Sequence, residues 1–201
     1  MMTALKFYAA AAVLLAATAP SVWALDIYRQ QDNPNLSSHQ EYALSEAWHL
    51  KCESRRDAYQ QPAKLCELEA TTGRKQDRAN TYQLLNGLTV KIWNAYDPYK
   101  GIEPSTSVQI DGVMANRRMA IRVGGQEFVK MTRNQAHGFE WYAQEANKII
   151  LQLLNAPDLR YEYDLFARHV NRNTQSLNGF KDAWDYAVKF TQYNPFRGIG
   201  L

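Results

Sequence analysis

Along most of the chain apolar and polar residues alternate one for one, the spacing of strands with one buried face. Trp48, Leu50 and Cys52 fall on one side of an extended segment, and His49, Lys51 and Glu53 on the other. Cys66, Leu68 and Ala70 repeat the arrangement against Glu67 and Glu69. Leu88, Val90 and Ile92 alternate with Thr89 and Lys91 and run on toward Trp93. Val108 and Ile110 lead into the turn signal Asp111-Gly112. Met119, Ile121 and Val123 alternate with Arg118 and Arg122 before Gly124-Gly125 turns the chain into a further segment, Gln126 to Met131. The period then changes. Tyr142, Ala146, Ile149, Ile150, Leu153 and Leu154 keep helical spacing, and Asn155-Ala-Pro157 ends that helix. Leu159, Tyr161, Tyr163 and Leu165 alternate with Arg160, Glu162 and Asp164 as a strand, and the polar run His169 to Gln175 reads as a turn. A second helix opens after Ser176-Leu177, with Leu177, Phe180, Trp184, Ala187, Val188 and Thr191 in one stripe, and stops at Asn194-Pro195. These elements predict an α+β fold that is mainly β. The expected body is an antiparallel sandwich or meander with an amphipathic helix and a C-terminal helix packed on it.

The two ends read differently from the middle. Lys6, the apolar run from Phe7 to Ala19 and the small residue Ala24 have the form of a secretory signal, residues 1–24. The run is well short of the ~20 residues that cross a bilayer, so no transmembrane segment is expected after cleavage. Residues 25–44 are polar, broken by Asn33-Pro34, and read as a flexible arm. Residues 45–192 are expected to form one β-rich globular domain, and 193–201 a tail that packs on the body or docks on a partner. The composition, 46% apolar and 21% charged, suits a chain that buries its own core. The formal charge of +3 falls by one when Lys6 leaves, too little to argue for nucleic acid or an anionic membrane as partner.

Export changes how the cysteines read. In an oxidising compartment Cys52 and Cys66, on the apolar sides of neighbouring strand segments, are expected to form a structural disulfide. Other chemistry is sparse. His39, His49, His137 and His169 stand in no metal-ligand spacing; His137 and Glu140 lack a third ligand, and His169, Asn171 and Asn173 lack an acidic partner cluster. There is no nucleophile elbow, phosphate-cradling glycine loop or zinc-protease motif. The acidic pairs Glu67/Glu69 and Glu162/Asp164 suit the wet face of a strand as well as acid–base work. No enzyme activity, cofactor or metal is expected. Two groups are candidates for contact. The semi-rigid stretch after the third strand offers Trp93, Tyr96, Tyr99 and Lys100, unless its tyrosines fold back over the core. Arg117, Arg118, Arg122 and Lys130 form a candidate basic patch, for which a charged solvent face is the commoner explanation.

Several landmarks recur in order: Trp48-x-x-x-Cys52-Glu53, Cys66 followed by a strand, Val108-Gln-Ile110-Asp111-Gly112, and Ser176-Leu177-Asn178-Gly179-Phe180 leading to Ala183. Together they resemble the invasion-associated locus B family of exported bacterial proteins, over roughly residues 45–190. The resemblance implies a β-sandwich-like domain with a closing helix, residence in the periplasm or at the outer membrane, no known catalysis, and for some members a part in host colonisation. The family commonly carries a second cysteine pair after the Asp-Gly turn, and Val113 to Asn155 contains none. The expected function is therefore a non-enzymatic binding or structural module with a protein partner in the envelope or on a host surface. An inhibitor or immunity-type protein against a hydrolase such as lysozyme, and an accessory part of a secretion or conjugation machine, are the alternatives.

Overall fold

The structure is a computed structural model and describes residues 25–56, 62–71, 84–95, 103–111, 118–131, 138–164 and 170–197. The elements are β1 (Asp26–Asn33), β2 (Ser38–Ser45), β3 (Trp48–Arg56), β4 (Pro62–Thr71), β5 (Leu84–Asn94), β6 (Ser105–Asp111), β7 (Arg118–Val123), β8 (Gln126–Met131), β9 (Gly138–Tyr142), α1 (Ala143–Leu153), β10 (Asp158–Asp164), β11 (Val170–Ser176) and α2 (Phe180–Thr191). They build a seven-stranded sheet, ordered β1, β2, β3, β4, β5, β6, β9, and a four-stranded sheet, ordered β11, β10, β7, β8. Every pairing is antiparallel, and the fold is mainly β with two helices, as the alternation predicts.

Register explains the core. Trp48, Leu50 and Cys52 face Ala70, Leu68 and Cys66; the row continues through Ile92 and Val90 to Val108 and on to Trp141. All of these are buried, so one face of the large sheet is apolar from β3 to β9. Helix α2 lies over β2 to β5, while α1 covers β6 and β9 and touches β7. Met119, Ile121 and Val123 of β7 and Leu159 and Tyr161 of β10 close the same core from the smaller sheet. Burying each large apolar side chain contributes about 1.5–3 kcal/mol.

The cysteines oppose each other directly across β3 and β4, with Cα atoms 4.1 Å apart, and are bonded. Both are wholly buried, and Cys66 Sγ lies 4.0 Å from the Ala187 carbonyl oxygen of α2. The start of α2 is fixed by an aromatic column: Trp48 and Phe180 ring centroids are 4.7 Å apart, Phe180 and Trp184 6.4 Å, and Trp184 and Phe196 6.0 Å. Trp48 Nε1 also donates to the Ser176 carbonyl oxygen at 3.2 Å. Phe196 is thus buried, and the tail as far as Arg197 belongs to the body. Residues 1–24 and 198–201 lie outside the described residues.

Two polar segments are strands where a non-strand was expected. Residues 25–44, read as an arm, carry β1 and β2, and the Asn33-Pro34 break is the turn between them. There Asn33 Oδ1 accepts from the Asn35 amide at 3.2 Å, and Ser37 takes a left-handed φ of 46°. The run His169 to Gln175, read as a turn, supplies most of β11. β1 and β11 are the outermost strands of their sheets. An edge strand is held by one ladder and buries little side-chain surface, so it needs no apolar alternation.

Candidate functional site

Counting outward from the disulfide locates the first group. Since Cys52 and Cys66 point into the core, their neighbours Glu53 and Leu65 point to the other face, and the register sets Leu65 beside Trp93 and Arg55 beside Ala63. Glu53, Arg55, Ala63, Lys64, Leu65, Trp93 and Ala95 line a cavity of about 290 Å³ at this end of the sheet. The indole is held in place because its Nε1 donates to the Glu103 carbonyl oxygen at 3.0 Å. A second cavity, of about 450 Å³, is walled by the same Trp93 with Glu103, Pro104, Ser105, Ala143, Gln144, Asn147 and Tyr193. Asn147 is oriented by the Thr106 hydroxyl, which donates to its Oδ1 at 2.6 Å. Burial pushes the Tyr193 hydroxyl above its usual pKa, so at neutral pH it is a proton donor. Helix α1 opens into this second cavity at Ala143, whose φ is 47°, with no side-chain cap from Tyr142.

Of the candidate loop, Trp93 is therefore at a recessed site; Tyr96, Tyr99 and Lys100 lie outside the described residues. Sequence reading missed Glu53, Arg55, Leu65, Asn147 and Tyr193 as neighbours of Trp93. The disulfide fixes the β3–β4 register and so sets Glu53 opposite Leu65 and Arg55 opposite Ala63, but their place beside Trp93 depends on the β4–β5 pairing. Nothing in the local sequence places Asn147 or Tyr193 there.

The basic candidates sit elsewhere, and their charges are partnered. Arg118 and Arg122 both reach Glu127 on β8, the former at 2.8 Å, and Arg122 also approaches Glu162 at 3.3 Å. Arg172 joins Glu162 at 3.5 Å, making an alternating ladder across the outer face of the smaller sheet. Lys130 donates to the Glu140 carbonyl oxygen, lies 3.8 Å from Glu145, and stands 5.6 Å from the Trp141 ring centre. Arg117 lies outside the described residues. Exposed pairs of this kind contribute little stability, and with Arg118, Arg122 and Arg172 against Glu127 and Glu162 they reduce the positive potential of this face without abolishing it.

Two histidine clusters were not foreseen. His49 joins Tyr28 and Tyr42 in an aromatic group, with the Tyr28 hydroxyl 2.5 Å from Nε2 and Glu69 3.4 Å from Nδ1. His39 bridges Asp32 at 2.6 Å and Glu41 at 2.9 Å, while Glu41 also accepts from Tyr186 of α2. Hydrogen bonds to Glu41 and then Asp32 raise the His39 pKa. Burial pushes the Glu41 carboxyl up, but hydrogen bonds from Tyr186 and His39 outweigh it and leave it below the ordinary range. His137 and His169 lie outside the described residues. Among the described residues no group of three or more His, Cys, Asp or Glu side chains is placed to hold a metal ion, and no helix is long and apolar enough to cross a membrane.

The chain matches no family model and no curated protein. Among solved structures it is similar to the crystal structure of invasion associated protein b from Bartonella henselae, at 12% identity, over 76% of this chain and 99% of that one, with a TM-score of 0.45.

Proposed function

We propose that the chain is an exported binding module of a bacterial envelope, without a catalytic role, and that its contact site is centred on Trp93. The partner belongs to the envelope or to a host surface. One observation carries this reading: a tryptophan anchored by its Nε1 bond to Glu103 forms the shared wall of two recesses at the end of a disulfide-locked sheet. A pinned aromatic ring presents a large contact area with little side-chain entropy left to lose on binding. The rigidity of β3, β4 and β5 beneath it, fixed by the buried Cys52–Cys66 bond, supports the same reading.

The experiment is site-specific photocrosslinking in intact cells, with the reactive group at Ala95 and, as a control, at Arg160 on the smaller sheet. An adduct formed from Ala95, absent from Arg160 and abolished by Trp93→Ala supports the site. Equal adducts from both positions, or one indifferent to Trp93→Ala, removes it.

A further inference from the structure

The chemistry of the two Trp93 recesses specifies a class of ligand. Trp93 lies on β5, an interior strand paired on both sides, to Leu65 of β4 and to Ser105 of β6. Its backbone groups are consumed by the sheet, so a peptide cannot bind there by adding a strand. Recognition must run through side chains. Those side chains are the rings of Trp93 and Tyr193 and the planar polar groups of Glu53, Arg55, Gln144 and Asn147. Among the described residues the charged lining is Glu53, Arg55 and Lys64 in the first recess and Glu103 in the second, two of each sign over the pair, so neither sign dominates it. Because Asn147 Oδ1 is occupied by the Thr106 hydroxyl, the Nδ2 protons are its remaining donors.

A ligand matching this set has a flat C–H face to stack on an indole, many hydroxyls for amide, carboxylate and guanidinium groups, and no net charge. That describes a sugar ring. We propose that the paired recesses bind a neutral saccharide, stacked on Trp93 and hydrogen-bonded by Gln144 and Asn147 on one side and by Glu53 and Arg55 on the other. The inference rests on the Trp93 site proposed above and names its ligand class. It assigns the partner's glycan, rather than its polypeptide, as the part recognised.

The test applies the mature chain to an array of neutral hexose and N-acetylhexosamine oligosaccharides, with sialylated and uronic-acid oligosaccharides alongside. Expected is binding to at least one neutral group, weakened at least about tenfold by Trp93→Ala, about one stacked ring's worth of interaction. Trp93→Phe, which keeps a stacking face, should retain most of the binding. Asn147→Ala, on helix α1 and bonded to Thr106 of β6, should weaken it as well and stands in if Trp93→Ala fails to fold. No neutral binding, binding only to acidic sugars, or neutral binding unchanged in both Trp93→Ala and Asn147→Ala overturns the proposal. If the array is negative while the Ala95 crosslink persists and still depends on Trp93, the contact site stands and the saccharide falls. If both are negative, both fall.

Discussion

Gly179 offers a quantitative check on how α2 is seated. Its φ of 80° is left-handed, and a Cβ built on it would stand 2.3 Å from the Ser45 carbonyl oxygen and 2.7 Å from the Ser45 Oγ. Gly125 has nearly the same φ, 85°, but nothing within 4 Å of such a Cβ. Alanine at Gly125 therefore costs the conformational penalty alone, about 1–2 kcal/mol. Alanine at Gly179 adds a forced separation from backbone of about 1 Å, which loosens contacts whose full loss would cost about 3–5 kcal/mol for a buried Phe or Trp. Phe180 follows immediately and packs on Trp48 at 4.7 Å between ring centroids, so it takes the displacement. The expected loss for Gly179→Ala is about 3–4 kcal/mol, roughly 2 more than for Gly125→Ala. Urea unfolding followed by tryptophan fluorescence separates them, since 2 kcal/mol moves the midpoint by about 1 M at a slope of about 2 kcal/mol per M. If the two variants agree within about 0.5 kcal/mol, the close approach of Gly179 to Ser45 is not a constraint on α2 and the argument fails.

Other outcomes follow from single features. Replacing both Cys52 and Cys66 by alanine should cost about 3 kcal/mol, the loop-closure value for a sequence separation of 14, and a change below about 1 kcal/mol would mean the bond adds nothing to the ladder beside it. Ser107 is fully buried and its Oγ has no partner among the described residues, so Ser107→Ala should be neutral or stabilising by about 1 kcal/mol in the same unfolding assay; a comparable loss would refute this. The His39 cluster gives a pH profile. The raised His39 pKa adds stability that is complete below 6.5 and is lost as pH rises through the higher folded value. The depressed Glu41 pKa adds stability that is present above 4.5 and lost as pH falls through the lower one. The stability difference between wild type and His39→Gln should therefore be largest between those two values and shrink toward alkaline pH; a difference that stays flat from about pH 5 to 9 contradicts the bridge.

The parts legible in the sequence are those where burial leaves a trace. β3 to β7, β10 and both helices each bury one face, and Trp48, Leu50 and Cys52 or Ile149, Ile150 and Leu153 write that face into the sequence as a period. β1 has no buried residue and does not, and the polar residues of β11 give no apolar period. Asp26 to Asn33 and Val170 to Ser176 are strands because a neighbour supplies a ladder, and the identity of that neighbour is not a local property. The site divides the same way. Trp93 stands out as an aromatic at the end of a strand, and the paired cysteines set Glu53 opposite Leu65, but the β4–β5 register that brings Leu65 beside Trp93 is not a local property. Asn147 and Tyr193 reach Trp93 only because α1 and the end of α2 settle over the sheet, a consequence of core packing. The basic patch shows the reverse case: Arg118 and Arg122 share a face as the alternation implies, but Glu127 arrives from β8 and Glu162 from β10 to pair with them.

The most direct measurement of the Trp93 claim is 19F NMR of the chain labelled with 5-fluorotryptophan, its resonances assigned by Trp93→Phe and titrated with solubilised bacterial envelope. The account predicts that the Trp93 resonance shifts or broadens while those of the core residues Trp48, Trp141 and Trp184 stay in place. A Trp93 resonance that does not move while a core tryptophan responds would contradict it.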